Sequence, residues 1–461
     1  MLNVSSLTYS YPGETKPALS DVSLHAGPGE CLCITGRSGC GKTTLLLAIK
    51  GLLPEGVMTG DIQIKTTNFE AELFRNEIGF VFQNADSQIL CSTVAEEVAF
   101  GPENLCIPPD EINTRINSSL RNVGLAGFGS RNVERLSSGQ KHRLAIASVL
   151  SMNPKILLLD EPTSQLDAEG KSELVQTLKD LKGQGYTLLI VEHQLEPFKD
   201  LVDRYVLMAN GRLIETSNAM PAAFAGSQRI DPEYPAERNR LHAGTPMVSI
   251  NGLCLSYPGV GEILKDIDLA IFKGERVHIF GRNGSGKSSL LAAIAGAVKP
   301  DAGTIQVANT KITGKTNMFG RVGYMLQNPQ RQLFENTVFE EVAFSLKRLR
   351  LPTPEIKRCV NEALEICEAD LLIDKLPLTL SFGEQHRVAL ASVLAPKPDV
   401  LLLDEPFSGL DFNQRRRLLM ILSNLMEKCA TTIVIASHDS LPDQSWPDCV
   451  IKIENGAVAS S

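Results

Sequence analysis

No run of eighteen or more uninterrupted apolar residues occurs anywhere in the chain, so no membrane-spanning helix is expected. The first residues, Met1-Leu2-Asn3-Val4-Ser5, lack the basic stretch and apolar core of an export signal, and no signal peptide is expected. Basic residues fall short of acidic ones, 45 against 53, giving a net charge of −8. That weighs against a protein that coats nucleic acid, which needs a basic excess or stripe. The ten cysteines form no C-x-x-C pair and no metal or iron–sulfur spacing. They read as reduced, mostly buried thiols of a cytosolic protein. What is left is an ordinary globular composition, 43% hydrophobic and 21% charged, over 461 residues, a length that calls for two or more domains.

What the chain does contain is Gly36-Arg37-Ser38-Gly39-Cys40-Gly41-Lys42-Thr43-Thr44, the spacing G-x-x-x-x-G-K-S/T of a phosphate-binding loop. Cys31-Leu32-Cys33-Ile34 before it reads as a buried strand, and Leu45-Leu46-Leu47-Ala48-Ile49 after it as the start of a helix. Glycines let backbone N–H groups turn toward phosphate oxygens, and the helix N-terminus adds partial positive charge. In such a loop Lys42 reaches the β/γ-phosphates and the Thr43 hydroxyl ligates Mg²⁺. A single chance match in a chain of this length has a probability on the order of 10⁻². The pattern occurs twice: Gly281-Arg282-Asn283-Gly284-Ser285-Gly286-Lys287-Ser288-Ser289 follows Val277-His278-Ile279-Phe280. Cys40 lies in the first loop, where Ser285 stands in the second, and a thiol reagent there is expected to block nucleotide.

The repeat extends over the whole chain. Lys42 recurs as Lys287, Gln83 as Gln327, Leu136 as Leu380, Asp160 as Asp404 and His193 as His438, at one spacing that holds to within a residue. Two near-equal copies are therefore expected, 1–216 and 247–461, joined by a proline-bearing tether over 217–246. Each copy alternates strands with helical stretches, the pattern of an α/β core. Between Gln83 and Pro154 the character turns helical, over Ala95–Phe100, Ile112–Val123 and Gly139–Leu150. A helical subdomain inserted in the core is expected there, and again between Gln327 and Lys397.

Each copy also carries an apolar strand that ends in two acids, Ile156-Leu157-Leu158-Leu159-Asp160-Glu161 and Val400-Leu401-Leu402-Leu403-Asp404-Glu405. The C-terminal edge of an open α/β sheet is where ligands bind. Asp160 and Asp404 are placed to hold Mg²⁺, and Glu161 and Glu405 to orient and deprotonate an attacking water. An Asp-Glu pair alone reads as a solvated turn; the apolar strand and the phosphate loop before each pair change that reading. Leu136-Ser137-Ser138-Gly139-Gln140 and Leu380-Ser381-Phe382-Gly383-Glu384 precede those strands. Ser and Gly at a helix start make an N-cap and a second anion site.

On these residues the chain resembles a tandem pair of ATP-binding-cassette ATPases, and the resemblance covers both halves. It implies two P-loop NTPase domains, with ATP and Mg²⁺ as ligands. Leu-Ser-Gly-Gly-Gln is that family's signature. This chain departs from it at Ser138 and Phe382, and has Glu384 where the family has Gln. The resemblance makes Ser137, Ser138, Gly139 and Gln140, and Ser381, Phe382, Gly383 and Glu384, the elements that contact the γ-phosphate. It makes Tyr11 and Tyr257 the adenine-stacking residues, and Gln83 and Gln327 the Q-loop glutamines that touch Mg²⁺ and sense a membrane partner. Ser164-Gln165-Leu166-Asp167 and Ser408-Gly409-Leu410-Asp411 are its D-loops, and His193 and His438 its switch histidines. It further implies that the halves act as an internal pseudo-dimer, the signature of one facing the phosphate loop of the other.

Thr93-Val94-Ala95-Glu96-Glu97-Val98-Ala99-Phe100-Gly101-Pro102-Glu103-Asn104-Leu105 and Thr337-Val338-Phe339-Glu340-Glu341-Val342-Ala343-Phe344 resemble the ATPases of energy-coupling-factor importers. Those carry vitamins or cobalt and nickel ions in prokaryotes. The second segment departs with Ser345-Leu346-Lys347 in place of Gly-Pro. The resemblance implies a peripheral protein on the cytoplasmic face of the inner membrane, bound to a transmembrane coupling subunit and a substrate-binding membrane subunit, with no nucleic-acid partner. A sugar-type importer ATPase and a ribosome-associated cassette protein are the alternatives. The first often lacks catalytic residues in one half, and the second carries a longer charged linker.

Overall fold

The computed structural model describes residues 1–14, 16–64, 77–164, 166–221, 245–259, 261–313, 316, 318–429 and 431–459. Most of the expected tether, and Gln165 of the first D-loop, lie outside the described residues. The chain divides into two compact units, Met1–Arg229 and Ile230–Ser461.

In the first unit the elements run β1 (Leu2–Ser10), β2 (Leu19–Ala26), β3 (Cys31–Thr35), α1 (Lys42–Lys50), β4 (Val57–Ile64), β5 (Ile78–Val81), α2 (Val94–Asn104), α3 (Pro109–Asn122), α4 (Ser138–Leu150), β6 (Ile156–Asp160), α5 (Ala168–Gly183), β7 (Thr187–Val191), β8 (Arg204–Ala209) and β9 (Arg212–Ser217). β3, β6 and β7 are buried along their whole length. Strands with no polar face belong in the middle of a parallel sheet covered on both sides. They lie in a six-stranded sheet of order β5-β6-β7-β3-β8-β9, parallel except for the antiparallel β8–β9 hairpin. Parallel order places the C-terminal ends of β3 and β6, and so the phosphate loop and the Asp160-Glu161 pair, on one edge. The helices α2, α3 and α4 fall between β5 and β6, where an inserted helical subdomain is expected.

A second sheet has no counterpart in the sequence reading. β1 pairs antiparallel with β2 on one side and β4 on the other. Along β1 the side chains of Leu2, Val4, Leu7 and Tyr9 are buried. The two-residue period slips at Ser5-Ser6, where the register shifts and Ser6 takes φ 46. That is a bulge, and it lets one strand serve the core on both sides of the slip.

The second unit repeats the plan with β10 (Val248–Tyr257), β11 (Gly261–Ile271), β12 (Arg276–Phe280), α6 (Lys287–Ile294), β13 (Ala302–Val307), β14 (Thr310–Lys311), β15 (Val322–Met325), α7 (Val338–Arg348), α8 (Thr353–Ile366), α9 (Phe382–Leu394), β16 (Val400–Asp404), α10 (Phe412–Cys429), β17 (Thr432–Ser437), β18 (Cys449–Glu454) and β19 (Ala457–Val458). Its antiparallel sheet is β11-β10-β13-β14, and its central sheet is β15-β16-β17-β12-β18-β19. Among the described residues no helix is long and apolar enough to cross a membrane.

Candidate active site

Helix α1 begins inside the glycine-rich loop. Its N-cap Gly41 has φ 104 and supplies no side-chain cap, and Gly286 does the same for α6 at φ 103. The first N–H groups of each helix are thus left for an anion. Lys42 is buried and its Nζ donates to the carbonyls of Gly36 and Arg37 at 3.0 and 3.1 Å. Lys287 donates likewise to Gly281 and Arg282 at 2.8 and 3.0 Å. The loop is seated against β8: a Cβ on Gly36 would stand 2.2 Å from the Met208 carbonyl oxygen, whereas one on Gly39 would meet nothing within 4 Å. The Tyr11 hydroxyl shares a hydrogen bond with Thr44 Oγ1 at 3.1 Å, tying this tyrosine to the loop helix. Tyr257 is half-buried against the core of its own unit.

Cys40 is not the accessible thiol that its place in the loop suggests. It is 6% exposed and belongs to the core beneath the loop, its Sγ turned toward Gly36. A small apolar thiol under a glycine turn acts as packing.

Asp160 ends β6 at 5% exposure. Burial first, then the neighbouring Glu161 charge, push its carboxyl up to about 7 against a Thr43 hydrogen bond and the Lys42 charge. Its Oδ1 is buried without a hydrogen-bond partner. A buried carboxylate oxygen lacking a positive partner, beside a threonine hydroxyl, fits a hard divalent cation. Asp404 accepts from Ser288 Oγ at 2.9 Å and from the Tyr324 hydroxyl at 3.4 Å, and burial pushes it up to about 6.

Glu161 and Glu405 both take left-handed backbone, φ 44 and φ 47, a conformation that persists only where the surroundings hold it. The two units hold it differently. Glu161 accepts from Gln83 Nε2 at 2.9 Å and faces His193 Nε2 at 2.9 Å. Glu405 faces His438 through Nδ1 at 2.9 Å, accepts from the His438 N–H at 3.3 Å, and lies 3.4 Å from Lys287 Nζ. Burial would raise Glu405, but the His438 hydrogen bond and the Lys287 charge outweigh it and hold the carboxyl below its ordinary value. Gln83 thus bonds Glu161, while Gln327 is exposed and Glu405 is held without it. In the first unit Lys42, Thr43, Gln83, Asp160, Glu161 and His193 converge; in the second Lys287, Ser288, Asp404, Glu405 and His438 do.

The signature residues stand at the starts of α4 and α9. Ser137 caps α4 by accepting from the Gln140 N–H at 3.2 Å, and Gln140 Oε1 accepts from the Ser137 N–H at 3.1 Å. At α9 the Glu384 carboxylate closes the same box, accepting from the Ser381 N–H at 2.9 Å, and it also accepts from the Ser381 hydroxyl at 2.7 Å. Phe382, the bulkier departure, turns its ring edge-on to His386 with centroids 4.7 Å apart.

The acids of the repeated Thr-Val-x-Glu-Glu segment are engaged in folding. Thr93 and Glu96 form a capping box at the start of α2. Buried Glu97 accepts the N–H groups of Leu90 and Cys91 at 2.8 and 2.9 Å, and Glu341 those of Phe334 and Glu335 at the same distances. Turned outward are Leu90, Phe100 and Leu105 in one unit, and Phe334 and Leu349 in the other.

Two residues of the site escape the sequence reading. Glu192, 3% exposed, accepts from both the N–H and the hydroxyl of Thr163 and from the N–H of His193. Tyr324 reaches Asp404. Setting Val191-Glu192-His193 beside Ala436-Ser437-His438 in the repeat singles out Glu192.

A family model described as ABC transporter matches residues 19–164 and 264–408. An ABC transporter ATP-binding protein, provisionally so named, of Methanosarcina acetivorans is 32% identical over 99% of this chain and 85% of its own length. A Bacillus subtilis protein with the provisional name HMP/thiamine import ATP-binding protein YkoD is 29% identical, covering 100% of this chain and 91% of that protein. The solved structure of cbiO1 from Clostridium perfringens, described as part of the ABC transporter complex cbiONQ, is 35% identical. It covers 47% of this chain and 88% of that one, with a TM-score of 0.43.

Proposed function

The chain belongs to the ABC transporter family, whose ATP-binding proteins are ATPases coupled to transport, and from that membership we propose that it powers an energy-coupling-factor importer of a vitamin or of cobalt or nickel ions. Its place is then the cytoplasmic face of the inner membrane, peripheral, with a transmembrane coupling subunit and a substrate-binding membrane subunit as partners. The observation that carries this reading is the doubled segment over 93–105 and 337–344. Thr93, Glu96 and Glu97, and Thr337 and Glu341, are consumed by caps and loop hydrogen bonds, which leaves the exposed apolar side chains in and beside these segments, Leu90, Phe100 and Leu105 in one unit and Phe334 and Leu349 in the other, as the surface a partner can read. The import function in the name of the Bacillus subtilis relative points the same way.

ATP lies on the two glycine loops, its phosphates on the N–H groups of α1 and α6 and on Lys42 and Lys287. Asp160 with Thr43 and Gln83, and Asp404 with Ser288 and Gln327, would hold Mg²⁺, which would neutralise phosphate charge. Glu161 and Glu405 take the proton of the attacking water at Oε. His193 and His438 bond the glutamates and orient them toward the γ-phosphate. Ser137-Ser138-Gly139 and Ser381-Phe382-Gly383, at the starts of α4 and α9, contact the γ-phosphate, whose loss on hydrolysis is the switch.

Replacing 88–105 and 330–349 by unrelated helical sequence, in a chain purified from membranes, tests the reading. A multi-span membrane protein copurifies with the native chain and is lost from the replaced one, while ATP binding persists. Undiminished copurification and transport with both segments replaced would refute it.

A further inference from the structure

The loops that carry the base and the switch histidine of the first unit are joined by one carboxylate. Glu192 Oε1 accepts from the Thr163 N–H at 3.0 Å and from the Thr163 hydroxyl at 2.5 Å; Oε2 accepts from the His193 N–H at 3.1 Å. Thr163 follows the strained Glu161 by two residues and is 1% exposed. His193 returns to Glu161 through its ring at 2.9 Å, so the contacts close a ring: Glu161, Thr163, Glu192, His193, Glu161. A buried carboxylate is expensive unless several donors satisfy it, and all three donors here come from these two loops.

The second unit lacks both members of the pair. Phe407 stands where Thr163 does and Ser437 where Glu192 does. Phe407, 2% exposed, joins the apolar core. Ser437 closes on its own loop, its Oγ donating to the Asp439 carbonyl at 2.8 Å and accepting from the Asp439 N–H at 3.0 Å. The His438 N–H goes directly to Glu405, whereas the His193 N–H goes to Glu192. Threonine with glutamate in one unit, and phenylalanine with serine in the other, are two self-consistent solutions to one problem.

We propose that Glu192 is a positioning residue for hydrolysis in the first unit, fixing the spacing of Glu161 and His193 by clamping their two loops together. The proposal rests on Glu161 as the base. Glutamine at 192 keeps the shape but sets an amide N–H₂ against one of the three donors, so one clamp bond is lost. A small misplacement of a reacting group costs about tenfold to a hundredfold in rate.

The experiment measures single-turnover hydrolysis of bound ATP, equilibrium ATP binding and melting temperature on the full chain, with Glu405 intact and as Glu405→Gln. Glu192→Gln is expected to lower the hydrolysis rate at least tenfold in one of the two backgrounds. ATP affinity stays within about twofold, and the melting temperature does not move. The double variant Thr163→Phe with Glu192→Ser, which installs the second unit's pair, is expected to regain most of the rate that Glu192→Ser alone loses. An unchanged rate in both backgrounds overturns the proposal. So does a loss of rate that comes with an equal loss of affinity and a lower melting temperature, since that is a scaffold effect. If Glu161→Gln with Glu405→Gln still hydrolyses at the native rate, the assignment of the bases fails instead, whatever Glu192→Gln does.

Discussion

The glycine loops offer a graded test, because four of their glycines carry different burdens. At Gly36 an added Cβ meets both obstacles: φ is +151, and the Met208 carbonyl oxygen lies 2.2 Å from where the Cβ would be. At Gly281 it meets only the clash, 2.4 Å from the Ile453 carbonyl oxygen. At Gly39 and Gly284 it meets only the backbone, φ +75 and +78, with nothing within 4 Å. Left-handed backbone costs an alanine about 1–2 kcal/mol, and forcing extra volume against a fixed wall about 1–3 kcal/mol. Gly36→Ala is therefore expected to cost about 2–5 kcal/mol, and Gly39→Ala and Gly284→Ala about 1–2. At roughly 2–4 °C per kcal/mol for a unit of this size, calorimetry of the nucleotide-free chain should show Gly36→Ala lowering the melting temperature about twice as far as Gly39→Ala. The wall is backbone and cannot swing aside, so the Gly36 loop must shift. Lys42 is bonded to the Gly36 and Arg37 carbonyls, so its amine shifts too, and equilibrium ATP binding weakens with the stability. If Gly36→Ala melts and binds like Gly39→Ala, the claim that β8 seats the loop is wrong.

Other outcomes follow from the site. Glu161→Gln and Glu405→Gln should each lower steady-state ATP turnover if both proposed bases work; a silent substitution at one position with complete loss at the other would contradict two working sites. Asp160 has a folded-state value near 7, above the ordinary carboxyl value. Its contribution to stability is thus complete in acid, below the unfolded value, and is lost as the pH rises toward 7. The melting temperature of Asp160→Asn should rise relative to the native chain between pH 5 and pH 8 in the absence of Mg²⁺, and a pH-independent difference counts against it. A charged thiol reagent should modify exposed Cys106 well before Cys40, with ATP binding surviving the first event; peptide mapping that finds Cys40 labelled first would reverse the burial argument.

The central sheet and the motifs that flank its strands are legible because their signals are local. A phosphate loop, a run of leucines ending in Asp-Glu and a Ser-x-Gly helix start each fit within ten residues, and the repeat doubled every one of them. The antiparallel sheet was not legible because its period is broken. β1 slips at Ser5-Ser6, and β4 exposes nearly every side chain before Ile64, so neither shows clean alternation. Glu192 escapes notice in the sequence because the Thr163 that satisfies it lies far back along the chain. Cys40 departs from its expected exposure for a related reason: it sits between the left-handed Gly39 and Gly41, and which way its side chain turns there cannot be read from spacing.

The wall behind each glycine loop bears on how the protein is made. Met208 belongs to β8 and Ile453 to β18, strands that leave the ribosome long after the loops they support. Neither nucleotide cradle can take its final shape until nearly the whole of its unit has emerged, so each half must wait, nucleotide-incompetent, for its own late strands. The first half can be ready while the second is still being translated. ATP is then available to steady it before the second half exists.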